Sequence, residues 1–521
     1  MNFYIVDDIC LSPLDVMRYG EDSAIRSNLE GLYSCRAGKV LILRRSIDAR
    51  KKSAVVWRFR VAAQLPDSSA AGLQPYVAES AVPVARIVRS KRIIVIGSGP
   101  AGLFATLRLL DHGFDVTLIE RGSTVDIRDR DVEILKTKGI LDPESNVLFG
   151  EGGAGTYSDG KLTTRTNRPE QRWFFDTLVR FGAKSEILYD AKPHVGTDSL
   201  SKVVASVRAE IVSRGAEVVF GEKADRLIIE MGSVVGVVCA SGKEFRGSAV
   251  VLATGHSARD TYAMLDASGV ALEKKGFAVG MRIEHPAEFI NTAQFGKFSP
   301  HLPSADYRLV HNDPQTGRGV YSFCMCPGGE VVNSASEQGA LCVNGMSFSD
   351  RGLQWSNAAI VVSVKAEDIR GSVLAGIEFQ REAERRCYDL GGGSFSAPVQ
   401  SAAAFIAGKK ASSGNRTKSY RPGTVDADLS SMYPSWISEP LKRGLRRFDS
   451  MIRGFSQEGL LIGAETRTSS PVRINRGESM ESTSHPGLYP VGEGAGYAGG
   501  IVSSAVDGIR CADVISERFS G

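Results

Sequence analysis

The first half of the chain alternates between short apolar runs and longer segments with helical spacing. Residues 91–96 and 115–119 are short runs rich in β-branched residues, which is typical of buried strands. Residues 103–110 and 200–214 place apolar side chains at the spacing of one helix face. Because strands and helices follow one another in this way, the pattern predicts a parallel α/β sheet. Two further predicted elements of this part are a helix at 125–138 and a strand at 216–220.

A different pattern precedes the first of these strands. Residues 39–43 and 54–61 are predicted strands, and residues 65–79, rich in proline, glycine and serine, are a predicted loop or linker. Between the two strands lies a basic cluster made of Arg44, Arg45, Arg50, Lys51 and Lys52. We interpret it as a charged loop and sheet edge. The alternative is a patch that binds phosphates or RNA.

Short strands separated by turn residues follow the α/β segment. The runs at 226–229, 234–239 and 244–246 predict a β-meander, and residues 249–255 predict a buried strand that ends in a small-residue turn. The rhythm changes from about residue 276, where alternating segments indicate a mixed sheet. It returns late in the chain, with a predicted strand at 487–491 and a predicted helix at 501–519.

The predicted fold class is therefore α/β, with a Rossmann-like nucleotide-binding domain, a β-meander, an inserted mixed α+β substrate domain and a small α+β N-terminal domain. The predicted boundaries are residues 1–90 for the N-terminal domain, 91–275 and 463–521 for the two parts of the nucleotide-binding domain, and 276–462 for the insertion.

The turn after the first α/β strand carries glycines at the spacing G-x-G-x-x-G. Gly97 allows a tight turn, Gly99 lets the backbone approach a pyrophosphate, and Gly102 lets the helix pack closely on the strand. Glu120 ends the next strand, roughly 20 residues on, where an acidic side chain can accept hydrogen bonds from a ribose. The combination predicts a dinucleotide site for FAD or NAD rather than NADP.

Two other segments are too rich in glycine to form stable helices or strands. Residues 146–161 contain the first, and Ser158, Asp159 and Lys161 are its candidates for positions near the reactive part of a cofactor. Residues 492–500 contain the second, which directly precedes the last predicted helix and so places a helix N-terminus beside a ligand.

Composition narrows the class of protein. The 521 residues carry a formal net charge of +4, which is too small to indicate a nucleic-acid or membrane partner. We expect no signal peptide, no membrane span and a cytoplasmic location. The eight cysteines include no C-x-x-C pair, so we expect free thiols. The seven histidines have no close ligand spacing, and no metal site is expected.

Four longer motifs resemble a broad group of largely uncharacterised bacterial FAD-dependent dehydrogenases with a glutathione-reductase-like FAD domain. They are FGEGGAGTYSDGKL at 149–162, GHSARDT at 255–261, ETRTSSPVR at 465–473 and GEGAGYAGGI at 492–501. The resemblance covers nearly the whole chain and implies tightly bound FAD. It also implies a cofactor-binding set: Gly97, Gly99, Pro100, Ala101, Gly102, Glu120, Arg121, Gly155, Ser158, Asp159, Lys161, Thr254, Gly255, Gly492, Glu493, Gly499, Gly500 and Ile501.

The expected function is an FAD-dependent oxidoreductase, a dehydrogenase or reductase that transfers hydride between bound flavin and a small organic substrate. The alternative is a flavin-dependent monooxygenase or halogenase that uses oxygen. The chain shows no convincing second G-x-G-x-x-G unit, so any NAD(P)H would visit the flavin only transiently.

Candidates for catalysis are few, and each has a structural alternative. His285 is a candidate acid or base, or else a hydrogen-bonded residue at a strand end. Cys326, in a C-x-C pair with Cys324, is a candidate thiol, or else a core residue. The remaining candidates are His256 near the cofactor and a pair of arginines, Arg467 and Arg473, that could bind a substrate carboxylate or form ion pairs within the fold.

Overall fold

The computed structural model describes residues 2–77, 90–164, 168–409, 412–414 and 416–520. Its first part is a four-stranded antiparallel sheet in the order β2-β3-β1-β4 with two helices. The elements are β1 (Asn2–Leu11), α1 (Pro13–Tyr19), α2 (Glu21–Tyr33), β2 (Val40–Asp48), β3 (Val56–Leu65) and β4 (Gln74–Pro75). The predicted strands are present but extend further. The predicted boundary at residue 90 adjoins residues 78–89, which lie outside the described residues, as does the end of the predicted 65–79 loop.

The basic cluster of this part is engaged partly within the fold. Arg44 and Arg45 lie inside β2 rather than in a loop. The Arg45 guanidinium donates to Asp190 at 2.7 and 2.9 Å and to Glu21 at 2.5 Å. Arg45 therefore ties the N-terminal sheet to the rest of the molecule.

The next part builds the parallel sheet and its helices. Its elements are β5 (Arg92–Ile96), α3 (Pro100–Asp111), β6 (Asp115–Ile119), α4 (Val125–Lys138), α5 (Pro169–Arg180), α6 (Thr197–Ser213) and β7 (Glu217–Val219), then β8 (Ala224–Glu230), β9 (Ser233–Cys239), β10 (Glu244–Arg246), β11 (Ala249–Leu252) and α7 (Arg259–Ala267). Strands β8, β9 and β10 form the antiparallel meander. Helix α3 is apolar on nearly all sides, because it is packed between the sheet and other helices.

A second, larger sheet follows, which we call the inserted sheet, and helices occur between its strands along the chain. The strands of this part of the chain are β12 (Leu272–Lys274), β13 (Phe277–Pro286), β14 (Val310–Asn312), β15 (Gly319–Cys326), β16 (Glu330–Asn333), β17 (Val343–Met346), β18 (Trp355–Val364), β19 (Ala397–Ser401), β20 (Thr424–Asp426) and β21 (Leu460–Glu465). Strands β16 and β17 pair with each other in a separate two-stranded sheet, and β12 pairs with a strand later in the chain. The helices are α8 (Ala287–Phe295), α9 (Ala375–Leu390), α10 (Ala402–Ala407), α11 (Ser435–Met451) and α12 (Phe455–Glu458). Seven strands pair in the order β14-β15-β18-β13-β21-β19-β20. The predicted boundary at residue 462 falls inside β21.

The chain then returns to the first sheet. The last elements are β22 (Val472–Ile474), β23 (Leu488–Pro490) and α13 (Ile501–Arg518). The parallel sheet has the order β23-β11-β5-β6-β7. In a parallel sheet the carboxyl ends of all strands meet at one edge, and ligands bind at that edge. The loops that follow β5, β6, β11 and β23 therefore lie together.

In the part of the chain that the structure describes, none of the helices has the length and apolar character that crossing a membrane requires.

Candidate functional site

A cavity of about 410 Å³ lies at the carboxyl edge of the parallel sheet and reaches the inserted sheet at Phe323 and Cys324 of β15, and Asn344 of β17. Residues from the two distant glycine-rich loops, at 97–101 and 492–501, line the same cavity. Of the predicted cofactor set, the following line it: Gly97, Gly99, Pro100, Ala101, Glu120, Arg121, Gly155, Ser158, Asp159, Lys161, Thr254, Gly255, Gly492, Glu493, Gly499, Gly500 and Ile501. Gly102 is the predicted residue of that set that lies behind the cavity wall.

The glycines of the first turn have different structural roles. Gly97 has φ +97°, and a Cβ there would lie 2.5 Å from the carbonyl oxygen of Ala253. A Cβ on Gly102 would lie 1.8 Å from the carbonyl oxygen of Gly97, so this residue lets α3 pack against the turn. A Cβ on Gly99 would contact only the Cα of Gly153, at 3.8 Å, and would otherwise stand in the cavity. Gly99 thus leaves open the space through which a ligand can approach the N-terminus of α3.

Glu120 is fixed by the turn itself. Its carboxylate accepts hydrogen bonds from the backbone N–H and the hydroxyl of Ser98, both at 2.8 Å, and from the backbone N–H of Gly122 at 2.9 Å. The side chain is buried but lines the cavity. Arg121 beside it is paired with Glu144 and Asp260 and lies over the ring of Phe149. The sequence reasoning missed Ser98, since its role depends on the spatial approach of Glu120.

The first glycine-rich segment is held by a buried arginine that the sequence reasoning also missed. Arg128, on α4, is fully buried and donates to the backbone carbonyls of Asn146, Val147, Gly150 and Glu151. Burial lowers the pKa of its guanidinium. Because these four carbonyls lie in a loop, no helix or strand supplies N–H donors for them, and the Arg128 guanidinium supplies donors instead. This segment is therefore a rigid wall of the cavity.

Asp159, Lys161 and Arg351 form a charged cluster at the inserted-sheet end of the cavity. The Oδ2 atom of Asp159 lies 2.6 Å from Arg351 and 3.2 Å from the Nζ atom of Lys161, and His194 is 3.7 Å away. The two cations outweigh burial and lower the pKa of Asp159. Among the described residues, the buried Oδ1 atom of Asp159 has no hydrogen-bond partner. The cluster carries a net positive charge and an unused acceptor beside the cavity.

The second glycine-rich segment forms the opposite wall. The Gly492 N–H donates to Asp507 at 2.8 Å, and α13 begins at Ile501 on the cavity surface. Burial raises the pKa of Glu493 to about 7. His256 lies 3.7 Å from this carboxyl, and its pKa is lowered to about 3 by burial and by neighbouring arginines. A neutral imidazole and a partly protonated carboxyl leave this wall with little negative charge.

The two candidate carboxylate-binding arginines are paired within the fold. Arg467 and Arg259 both bind the fully buried Glu384, at 3.0 and 2.7 Å. Arg473 pairs with Glu273 at 2.5 Å. Of the two candidates, Arg467 also lines the cavity. Ion pairing, the structural alternative, therefore describes both side chains.

The two catalytic candidates His285 and Cys326 do not line the cavity. His285 is buried on β13, donates from Nε2–H to the Phe455 carbonyl oxygen at 2.8 Å, and has its pKa lowered to about 4 by burial. Cys326 is completely buried behind the cavity wall. The other cysteine of the pair, Cys324, lines the cavity instead, because a bulge in β15 separates the two positions. The pairing of β15 with β18 that creates this bulge cannot be read from the C-x-C spacing.

Comparisons with protein families point to FAD as the cofactor. Residues 276–468 match the family "FAD-dependent protein, C-terminal domain-like", and residues 92–127 match a family described as an FAD binding domain. An uncharacterised protein of Clostridium beijerinckii is 45% identical over 493 residues, which is 92% of each chain. The chain belongs to this family of FAD-dependent proteins.

Other similarities cover a smaller part of this FAD-dependent protein or are low in sequence identity. A 6-methylpretetramide 4-monooxygenase of Streptomyces rimosus is 32% identical over 155 residues, covering 29% of this chain and 34% of that one. Among solved structures, CtdE in complex with FAD is 11% identical with a TM-score of 0.31, covering 82% of this chain and 84% of its own. The brominase Bmp2 is 14% identical with a TM-score of 0.37, covering 83% and 80%.

The geometry of the cavity in this FAD-dependent protein is suitable for FAD. The space kept open at Gly99 and the N-terminus of α3 suit a pyrophosphate, because unpaired helical N–H groups bind anions. Asp159 also lines the cavity, and its buried Oδ1 atom has no hydrogen-bond partner among the described residues.

Proposed function

We propose that this protein is an FAD-dependent oxidoreductase, a dehydrogenase or reductase, that transfers hydride between bound flavin and a small organic substrate. The observation that carries the proposal is that one cavity extends from the G-x-G-x-x-G turn to Cys324 on β15 and Asn344 on β17. A nucleotide placed along the turn would direct its reactive end toward the inserted sheet, where a substrate could enter.

The residues that would hold FAD follow from their positions. The Gly97–Gly99 turn and the N-terminus of α3 would take the pyrophosphate, and Glu120 would accept from the adenosine ribose. Glu493 would donate from its protonated form to a ribityl or phosphate oxygen, since its pKa is raised to about 7 by burial. Bound FAD supplies the hydride and electron chemistry of the reaction.

The protein would tune the reactive end through the Asp159 cluster and α13. Lys161 and Arg351 exceed Asp159 by one positive charge, and the N-terminus of α13 adds a partial positive charge. A positive environment stabilises negative charge as it develops on the ligand. Lys161 would orient an anionic group there, and the rigid wall fixed by Arg128 would exclude water.

A first experiment is to denature the purified protein and identify the released flavin. FAD in stoichiometric amount, at purification or after reconstitution, is expected. An anaerobic screen with NADH, NADPH and candidate metabolites then tests the reaction, with flavin bleaching as the readout. Absence of FAD binding even after reconstitution would refute the proposal.

The charged cluster can be tested with a matched pair of variants. Lys161→Met removes a cation that lines the cavity, whereas Lys192→Met removes an exposed lysine that pairs with Asp306 outside it. We expect about a tenfold or greater slowing of flavin reduction in the first variant, from loss of one charge interaction, and no change in the second. Equal rates in both variants would contradict the role given to Lys161.

A flavin-dependent monooxygenase or halogenase is the second candidate, favoured by the sequence similarity to a named monooxygenase over 155 residues. Oxygen incorporation into, or halogenation of, a product during aerobic turnover would support it. Reduction of the flavin by the substrate itself, with no oxygen requirement, would favour the first candidate.

A further inference from the structure

Cys324 sits at an irregularity of β15. The pairing with β18 advances from Phe323 opposite Ala359 to Cys326 opposite Asn357, so β15 carries one extra residue across this step. Cys324 itself has φ +42°, a left-handed conformation that is uncommon for residues other than glycine. Bulges of this kind redirect a side chain. Here the bulge gives Cys324 access to the cavity while Cys326 stays buried.

A buried guanidinium lies directly behind the bulge. The Nη2 atom of Arg282 donates to the carbonyl oxygen of Cys324 at 2.5 Å and lies 3.4 Å from the sulfur of Cys326. Its other nitrogens bind Asn357, Asn344 and Glu465. Burial raises the pKa of Glu465 to about 7, so this carboxyl only partly balances the guanidinium charge. The bulge is therefore locked in place by a cation.

The surroundings favour the ionised form of the Cys324 thiol. The neighbouring Cys326 thiol, which donates to the Cys324 carbonyl oxygen at 3.4 Å, and the charge of Arg282 outweigh burial and lower the pKa of Cys324 to about 6. Burial and the neighbouring Cys324 raise the pKa of Cys326, which remains the protonated donor. The other ionisable groups facing Cys324 are Lys161, Asp159, Glu465 and Glu493.

A second observation points to a ligand at this end of the cavity. Asp159 lines the same cavity as Cys324, and its buried Oδ1 atom has no hydrogen-bond partner among the described residues. A buried carboxylate oxygen without a hydrogen-bond donor is costly unless a ligand or water supplies one. The thiol and this oxygen would then face the same bound molecule.

We propose that Cys324 is the reactive thiol of this cavity, a nucleophile for a substrate that presents an electrophilic carbon, either a carbonyl carbon or an alkene carbon conjugated to a carbonyl. The sulfur lone pair forms the S–C bond, the displaced π electrons move to the carbonyl oxygen, and a proton from water neutralises the product. No atom changes partner otherwise, and no oxidant is needed. The inference deepens the proposed function by naming a substrate class for its cavity.

The test uses the full chain and iodoacetamide, whose carbon accepts the sulfur while iodide leaves. Alkylation of each cysteine is timed from pH 5.5 to 9 and assigned by peptide mass mapping, with the exposed Cys10 as internal comparator. We expect the rate for Cys324 to level off above about pH 7, with a midpoint near 6, because reaction follows the thiolate fraction. The rate for free cysteine reacted in parallel, whose pKa is about 8.5, should still rise through pH 8.

Two variants separate a reactive thiol from a structural one. Cys326→Ala removes the hydrogen-bond donor and should move the Cys324 midpoint up by about one pH unit. Cys326→Ser keeps a donor and should leave it near 6, which also covers the case in which the alanine variant fails to fold. Failure to label Cys324, or a labelling rate that follows the pH profile of free cysteine, overturns the proposal. Labelling does not require flavin, so a failure to bind FAD would refute the proposed function while leaving this result interpretable.

Discussion

Replacing Gly99 with alanine adds one methyl group at the place where the backbone would approach a bound pyrophosphate. The protein itself has room for it. Gly99 has φ −71°, which alanine adopts without strain, and the new Cβ would contact only the Cα of Gly153 at 3.8 Å among the described residues. The methyl group would otherwise project into the cavity. The substitution therefore tests the ligand site with little effect on the fold.

The expected magnitudes differ sharply between this variant and Gly102→Ala. Alanine is a poorer helix N-cap than glycine, but it also lowers the conformational entropy of the unfolded chain, which favours the folded state. Because these two effects oppose each other, the unfolding free energy of Gly99→Ala should change by less than about 1 kcal/mol. Its affinity for FAD should fall about 100-fold, or about 2.7 kcal/mol, because the phosphate can no longer approach the turn. Gly102→Ala places a Cβ 1.8 Å from the Gly97 carbonyl oxygen, and this clash should cost about 3 kcal/mol of stability.

The assay pairs denaturant unfolding of the FAD-free proteins with fluorescence titration of FAD into each. Gly99→Ala should unfold like the wild type yet bind FAD weakly, whereas Gly102→Ala should be destabilised before any ligand is added. Wild-type FAD affinity in Gly99→Ala would refute the assignment of this turn to the pyrophosphate. A large stability loss in Gly99→Ala would refute the description of the open space beside it.

Three further outcomes are expected. Because burial raises the pKa of Glu493 from 4.5 to about 7, its contribution to stability is greatest below pH 4.5 and is lost as pH rises through 7. The FAD-free wild type should therefore lose up to about 3 kcal/mol of unfolding free energy between pH 5 and pH 8, and FAD-free Glu493→Gln should not. The same pH dependence of the unfolding free energy in both proteins would contradict this prediction. Glu384→Gln leaves Arg259 and Arg467 without their shared buried partner and should cost about 3–5 kcal/mol at pH 7. The arginines hold the pKa of Glu384 well below its usual 4.5, so the difference from wild type in urea unfolding should shrink as pH falls below that value; a constant difference would count against the ion pairs. His285→Gln should leave the rate of flavin reduction unchanged, since this residue lies outside the cavity, and a slower stopped-flow rate would reverse that conclusion.

Local patterns predicted the parallel part of the fold well. The helix at 125–138 has those limits in the structure, and the strand at 115–119 and the meander are also present. Apolar periodicity and glycine turns encode such elements within a few residues of sequence. The seven-stranded sheet was visible only as strand-like segments, because its order joins β13 to both β18 and β21 across long separations.

The residues of the candidate site also differ in whether the local sequence predicts them. Glycines, Glu120 and the 492–501 loop could be identified because their backbone geometry demands particular residues at short spacing. Ser98, Arg128 and Arg282 could not, since each acts through partners that only the folded chain brings near. Cys326 was chosen over Cys324 for the same reason, as the bulge that exposes one sulfur and buries the other arises from pairing with β18.

The order in which the cavity walls occur along the chain has a consequence for biosynthesis. The turn at Gly97 and the loop at Gly492 are almost 400 positions apart, yet both border one space. A ribosome must therefore translate past residue 501 before both walls can close around a cofactor. Incorporation of the nucleotide should be a late event, and nascent chains stalled within the inserted sheet should emerge with their parallel sheet lacking β23 and one side of its pocket.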